Sequence, residues 1–161
     1  MNGQGVLEWL EGYAAAWRSN RSDEIIACWD QDAFLFYKAE EEPVFFDQWS
    51  RLERYWRQNE GLHERVILRF SDPMVKTARP GLLVATVNMR WDIRFADDAR
   101  LADGQPFMHR GKAMGGDNHV LLMLEETPAG FRLVAWSETP DAPLSYLRGL
   151  YFKQADRDAL S

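Results

Sequence analysis

The chain has 161 residues, 46% of them apolar, and a net charge of −6. That length suits one domain over residues 1–161, large enough to bury its own core, and the negative balance without a Lys/Arg cluster argues against a nucleic-acid surface. One cysteine, Cys28, leaves no internal disulfide; with no charged-then-apolar leader and no apolar run of bilayer length, a soluble, cytoplasmic protein that does not engage a membrane is expected.

The first predicted element is a helix. Val6, Leu10, Tyr13, Ala14 and Trp17 fall on one stripe at helical spacing, and Asn20-Arg21 ends it. Ser22 is placed to cap a short second helix carrying Ile25, Ile26 and Trp29, closed by Asp30-Gln31-Asp32. Cys28 lies in this apolar stretch and reads as a small core residue. Ala33 to Tyr37 reads as a first strand, Glu40-Glu41-Glu42-Pro43 as a solvated turn, and Val44 to Phe46 as a brief extended piece. Asp47 suits the N-cap of a third helix bearing Trp49, Leu52 and Trp56, with Gly61 at its stop.

From Leu62 the pattern switches to strands. Leu62 to Phe70 is extended, Asp72-Pro73 predicts a break or bulge, and the strand resumes to Thr77 before the turn Arg79-Pro80-Gly81. The clearest strand runs from Leu82 to Phe95. From Thr86 it alternates strictly: Val87, Met89, Trp91, Ile93 and Phe95 share one face, and Thr86, Asn88, Arg90, Asp92 and Arg94 the other. Ala96 to Gln105 predicts a long solvated hairpin tip. Pro106 to Glu126 predicts a long strand with a bulge or bend at Gly115-Gly116. Thr127-Pro128-Ala129-Gly130 turns into a last strand, Phe131 to Glu138, and Pro140 and Pro143 lead to a short helix near Leu144 to Phe152. Together these give an α+β domain, a bent antiparallel sheet covered by the N-terminal helices. Seven Trp, nine Phe and five Tyr exceed what one sheet-helix interface needs, which predicts either a ring-lined cavity or a subunit interface.

This order of elements resembles the nuclear transport factor 2-like superfamily. The stretches that carry the resemblance are Tyr13-Ala14-Ala15-Ala16-Trp17, Ile25-Ile26-Ala27-Cys28-Trp29 with Asp32-Ala33 after it, and Gly130-Phe131-Arg132-Leu133-Val134-Ala135-Trp136-Ser137. The superfamily includes ketosteroid isomerases, SnoaL-type polyketide cyclases, limonene epoxide hydrolases and the association domain of a calmodulin-dependent kinase. The resemblance implies a cone-shaped, cystatin-like fold with a deep apolar pocket, often in a homodimer. It does not choose among the members, because fold does not carry function.

Two constellations follow from the resemblance. Tyr13 matches the tyrosine that ketosteroid isomerases aim at a developing oxyanion, a role in which a phenol in an apolar pocket donates to charge that appears only in the transition state. The carboxylate base of that family would fall near Tyr37-Lys38, where this chain has no acid, and the second donor near Asn118. Arg90-Trp91-Asp92 with Trp136-Ser137-Glu138 is similar to the Arg-x-Asp and Trp-x-Asp pairs of limonene epoxide hydrolases, with Glu in place of the second Asp. An arginine between two acids splits their pKa values and lets one act as base and the other as acid. The alternation places Arg90 and Asp92 opposite the apolar run, which counts against that triad.

The remaining candidates are weighed on their residues. His63-Glu64 has Ile67 where a zinc-binding helix needs its second His, and His109 and His119 are separated by the Gly-Gly pair, so no metal site is expected. His119 beside Asp117 becomes a general base only if it faces the cavity. No phosphate loop or nucleophile elbow is present, and no cofactor is expected. The functional expectation is a binder of a neutral, largely hydrophobic small molecule, cyclic ones included, or an isomerase-, cyclase- or hydrolase-type enzyme acting on it. Tyr13, Asn118, His119 and Glu138 are its candidate catalytic groups, and Trp17, Tyr37, Trp56, Trp91 and Trp136 its candidate pocket wall. The alternative is a non-catalytic dimeric association module of the same fold.

Overall fold

The computed structural model describes residues 1–154. The last seven residues of the expected single domain lie outside the described residues. Helix α1 (Gly3–Arg18) forms where the apolar stripe predicts it, and buries Val6, Leu10, Tyr13 and Ala14. The Asn2 side chain caps it by accepting from the Gly5 N–H at 3.0 Å. Asn20 follows the C-terminus at φ 57°, the left-handed conformation that asparagine tolerates. Helix α2 (Ser22–Ile26) ends before Trp29. Ser22 does not cap it: Arg21 holds that position, and the Ser22 hydroxyl donates to the Glu60 carboxylate instead. Cys28 is half-buried against the main core rather than inside it.

Strand β1 (Phe36–Lys38) is shorter than the predicted Ala33–Tyr37 and ends one residue later. Phe46 bridges Tyr37, so the Glu40–Pro43 turn is pinned at its base. Helix α3 (Trp49–Asn59) begins after Gln48. Asp47 faces Arg51 at 3.7 Å rather than capping the helix. Gly61 follows the C-cap residue Glu60, as predicted.

Four long strands complete a curved five-stranded sheet: β2 (His63–Arg79), β3 (Leu82–Phe95), β4 (Ala113–Thr127) and β5 (Gly130–Pro140). The order is β1-β5-β4-β3-β2, antiparallel throughout except that β1 lies parallel to β5. The Asp72-Pro73 bulge is present, with Asp72 at φ 52° and the register shifting between Ser71 and Met74. The shift between β4 and β5, at Met123 and Leu124, carries no proline or glycine signal.

Strand β3 shows the predicted alternation. Val87, Met89 and Phe95 are buried, and Asn88, Arg90 and Arg94 are exposed. Helix α1 lies on the buried face, where Val6, Leu10 and Tyr13 join Leu83, Val87, Val120, Leu122 and Trp136 in one cluster. The chain between β3 and β4 departs from its prediction. Residues 108–111 are turns rather than strand and Pro106 makes only an isolated bridge to Arg100, and the hairpin tip is not wholly solvated: Ala99 and Phe95 pack with Leu62 in a second, smaller core.

Gly115 and Gly116 also differ from expectation. They pair in unbroken register with Asp92 and Trp91, with no bulge. Their reason is close approach. A Cβ on Gly115 would meet Asp92 Oδ1 at 2.5 Å and the Trp91 carbonyl at 2.7 Å; one on Gly116 would meet the Trp91 indole at 3.0 to 3.1 Å. Helix α4 (Leu144–Gln154) follows Pro143 and buries none of its residues.

Candidate functional site

A cavity of about 380 Å³ lies between the inner face of the sheet and the helices. Its floor is built from buried residues: Tyr13 of α1, Tyr37 of β1, Trp56 of α3, Val66 of β2, Met89 of β3 and Trp136 of β5. Trp17, Trp91, Ile93 and Tyr55 are half-buried on its walls. At the mouth the lining residues become exposed: Glu40 and Glu41 from the turn after β1, Glu60 from the end of α3, and Met114. The rings interlock at the floor. Tyr13 and Trp136 lie 5.2 Å apart by centroid, Tyr37 and Trp56 5.5 Å, and Tyr13 meets Trp17 edge-on at 6.3 Å.

Glu138 brings its carboxylate to the ring-lined floor of this chamber, below the glutamates of the mouth. It sits two residues beyond Trp136 on β5, so strand periodicity places both side chains on the inner face. Three donors hold its carboxylate. Trp136 Nε1 donates to Oε1 at 2.7 Å; Asn118 Nδ2 and the Glu40 backbone N–H donate to Oε2 at 3.0 and 3.3 Å. These bonds favour the charged form. Burial opposes them and wins, and the nearby Glu41 charge adds to it, so the pKa is pushed up to about 7.

The phenols move the same way. Burial holds Tyr13, Tyr37 and Tyr55 above the usual phenol range, so each remains a donor. The Tyr55 hydroxyl is committed to Glu41 Oε1 at 2.8 Å. The Trp17, Trp56 and Trp91 indole N–H groups, all on cavity-lining side chains, are buried without a hydrogen-bond partner among the described residues. The aromatic walls therefore hold surplus donors, while the carboxylate acceptors gather at Glu138 and the mouth. His63 also lines the cavity, and burial lowers its pKa, which favours the neutral ring.

Of the candidate catalytic residues, the structure brings Tyr13 and Glu138 to the cavity, with Asn118 behind Glu138 as one of its anchors. His119 is not with them. It lies on the outer face of β4, 60% exposed, with Nδ1 2.9 Å from Asn88 Oδ1. Its neighbour Asn118 takes the inward position, and strand parity sends His119 the other way. All five predicted wall residues, Trp17, Tyr37, Trp56, Trp91 and Trp136, line the cavity.

Arg90 and Asp92 are also outside, on the opposite face of the sheet from Glu138. Arg90 bonds Asp92 at 2.8 Å and Asp117 at 3.2 Å, and Arg69 reaches Asp92 at 3.0 Å. The Arg90 and Arg69 hydrogen bonds hold the Asp92 carboxyl below its ordinary range. No hydrolase-type triad with Glu138 is assembled. Sequence reasoning missed His63, Tyr55 and the glutamate rim. The rim reads locally as a solvated turn, and only the bridge between Tyr37 and Phe46 folds it over the chamber. Among the described residues no group of three His, Cys, Asp or Glu side chains is placed to hold a metal ion, and no helix is long and apolar enough to cross a membrane.

No protein-family model matches this sequence, and no curated protein matches it. Solved structures do match in fold. A nuclear transport factor 2-like superfamily protein from Salmonella enterica serovar Typhimurium superposes with a TM-score of 0.68 at 11% identity, over 88% of this chain and 92% of that one. A candidate dehydratase of the same family from Streptomyces avermitilis gives 0.68 at 11% identity, over 88% and 96%. A candidate calcium/calmodulin-dependent protein kinase II association domain from Xanthomonas campestris gives 0.65 at 9% identity, over 87% of each chain.

Proposed function

We propose that this chain, whose fold is the nuclear transport factor 2-like cone, takes a small, largely hydrophobic ring compound into the cavity and moves a proton on it through Glu138. The observation that carries the reading is a carboxyl with a pKa of about 7, fixed by three donors against a ring-lined chamber. A base poised near the working pH both accepts and returns a proton efficiently.

The register of β1 and β5 supports this role. The isomerase resemblance asks for an acid near Tyr37-Lys38, and none stands there. Lys38 pairs with Ser137, however, so Glu138 lies one residue further along the adjacent strand. An acid borrowed from β5 thus serves the place left empty on β1. Tyr13 is the matching donor, kept protonated by burial and able to stabilise an oxyanion as charge develops. The unpartnered indole N–H groups favour a ligand that carries a carbonyl or hydroxyl oxygen.

The test is proton exchange. A panel of hydrophobic ring ketones is first screened by tryptophan fluorescence and melting temperature; a binder at a hundredfold excess over Kd stabilises by about 2.7 kcal/mol. Binders are then incubated in D2O, and exchange next to the carbonyl is followed by NMR. Exchange by the wild type that is lost in Glu138→Gln supports the reading. Binding without exchange leaves a ligand carrier, and a panel with no binder removes the reading.

A second reading, a non-catalytic association module, is favoured by α4. Its Leu144, Tyr146, Tyr151 and Phe152 are exposed at 60 to 77%, which suits contact with a second copy in a homodimer. One of the structures of similar fold is a candidate association domain.

A further inference from the structure

Resting on the reading that the cavity binds a small ring compound, we propose that its ligand is an organic cation. A hydrophobic ring body would sit among the indoles and phenols, with a protonated or quaternary amine at the glutamate mouth. The sequence alone favours a neutral ligand, because it displays the rings and hides the rim.

The charge of the lining is one-sided. Glu40, Glu41, Glu42, Glu60 and Glu138 line the cavity, and no Lys or Arg does. The chain as a whole carries 19 Lys and Arg against 25 Asp and Glu, so the lining is not a sample of the average surface. His63, the one basic ring present, leans to its neutral form through burial.

Nearby cations are engaged elsewhere. Lys38 Nζ donates to the Ala39 carbonyl at 2.8 Å and to the Glu42 carbonyl. Arg57 pairs with Asp23 and Glu53 at 2.9 Å each. Among the described residues none of the five cavity carboxylates is ion-paired.

The walls supply the second half of the argument. Indole and phenol faces carry negative quadrupole density, and an ammonium held against several of them is attracted without needing a formal counter-ion. Acidic residues at an opening into a low-dielectric chamber focus the field and draw cations in. An anion would meet five glutamates and no compensating charge. An independent sign that the chamber is built for an occupant is the Trp56 indole, 3% exposed, lining the cavity with its N–H unpartnered.

The experiment uses one ring body with three charges: (2-naphthylmethyl)trimethylammonium, 2-naphthylmethanol and 2-naphthylacetate. Each is titrated by calorimetry and tryptophan fluorescence against the wild type and against the Glu40→Gln/Glu41→Gln double variant, at low and high salt. Both positions are exposed, so the variant folds. The expected result is that the ammonium binds about tenfold or more tighter than the alcohol. Its advantage should shrink with salt and in the double variant, with the acetate weakest. Equal binding of ammonium and alcohol, or tighter binding of the acetate, overturns the cation assignment and leaves the cavity reading standing. No binding by any of the three, together with no binder in the ketone panel, overturns both.

Discussion

Trp136 and Glu138 form a clamp on the inner face of β5: the indole N–H of one donates 2.7 Å to the carboxylate of the other, two residues along the same strand. The donor that fixes the acid is itself part of the cavity floor, stacked at a tilt on Tyr13. One aromatic side chain therefore helps to fix the acid's position and opposes the effect of burial on its protonation. Trp136→Phe removes the donor and keeps most of the ring packing. Its Glu138 should titrate above the wild-type value of about 7, measured by carboxyl carbon NMR across pH. An unchanged pKa would mean that the indole bond contributes nothing to the acid's charge state.

The same carboxyl sets a stability slope. Its folded pKa of about 7 lies above the ordinary 4.5, so the folded state holds a proton that the unfolded state has already released. Stability from this group is complete below pH 4.5 and is lost as pH rises through about 7, by roughly 3 kcal/mol. His63 acts in the opposite sense. Burial lowers its folded pKa, so its contribution falls as the solution is acidified. The clean readout is a difference. Urea denaturation should show Glu138→Gln gaining stability over the wild type as pH rises from 5 to 8.

Tyr13→Phe separates packing from donation. The ring is buried and its neighbours are aromatic, so the fold should persist with near-ultraviolet dichroism intact. Affinity for a carbonyl-bearing ligand should fall about tenfold, the usual worth of one donor to a buried acceptor. A variant that binds as tightly as wild type would make Tyr13 a packing residue.

The glycine pair predicts two distinct lesions. Gly115→Ala drives a methyl into the Trp91 carbonyl and the Asp92 carboxylate, and backbone cannot yield cheaply. It should destabilise by about 1 to 3 kcal/mol in urea. Gly116→Ala presses on the Trp91 indole, which can tilt. It should cost less stability and shift tryptophan emission, since Trp91 is part of the cavity wall.

Removal of α4, in a chain ending at Pro143, should leave the melting temperature near wild type because α4 buries nothing. Light scattering then decides the second reading. Loss of a dimer on truncation supports a packing role for Leu144, Tyr146, Tyr151 and Phe152, and an unchanged mass removes it.

The parts of the fold legible in the sequence were those with a period. The stripe from Val6 to Trp17 and the alternation from Thr86 to Phe95 each declare a face, and both faces are the ones observed. Strand parity likewise separates Asn118 from His119, yet it cannot say which parity is inward until β4 pairs with β3. That is why His119 was a candidate and lies outside. The cap positions were misread because Ser22 and Asp47 found partners in Glu60 and Arg51. Asp47–Arg51 is an i,i+4 pair that competes with the cap, whereas the Ser22–Glu60 contact spans the tertiary fold and leaves no mark on local pattern. The acidic rim was illegible for the same reason: three glutamates in a row look solvated until a neighbouring strand folds them across an opening.

Gly115 and Gly116 share one peptide of wall, with an arginine-carboxylate cluster resting on one side and an indole on the other. Neither residue can drift on its own. In any descendant that keeps Trp91 and Asp92, a glycine is required opposite Asp92, and a glycine or at most a small residue opposite Trp91. That four-residue cross-strand signature offers a way to trace kin of this chain whose overall identity has worn away.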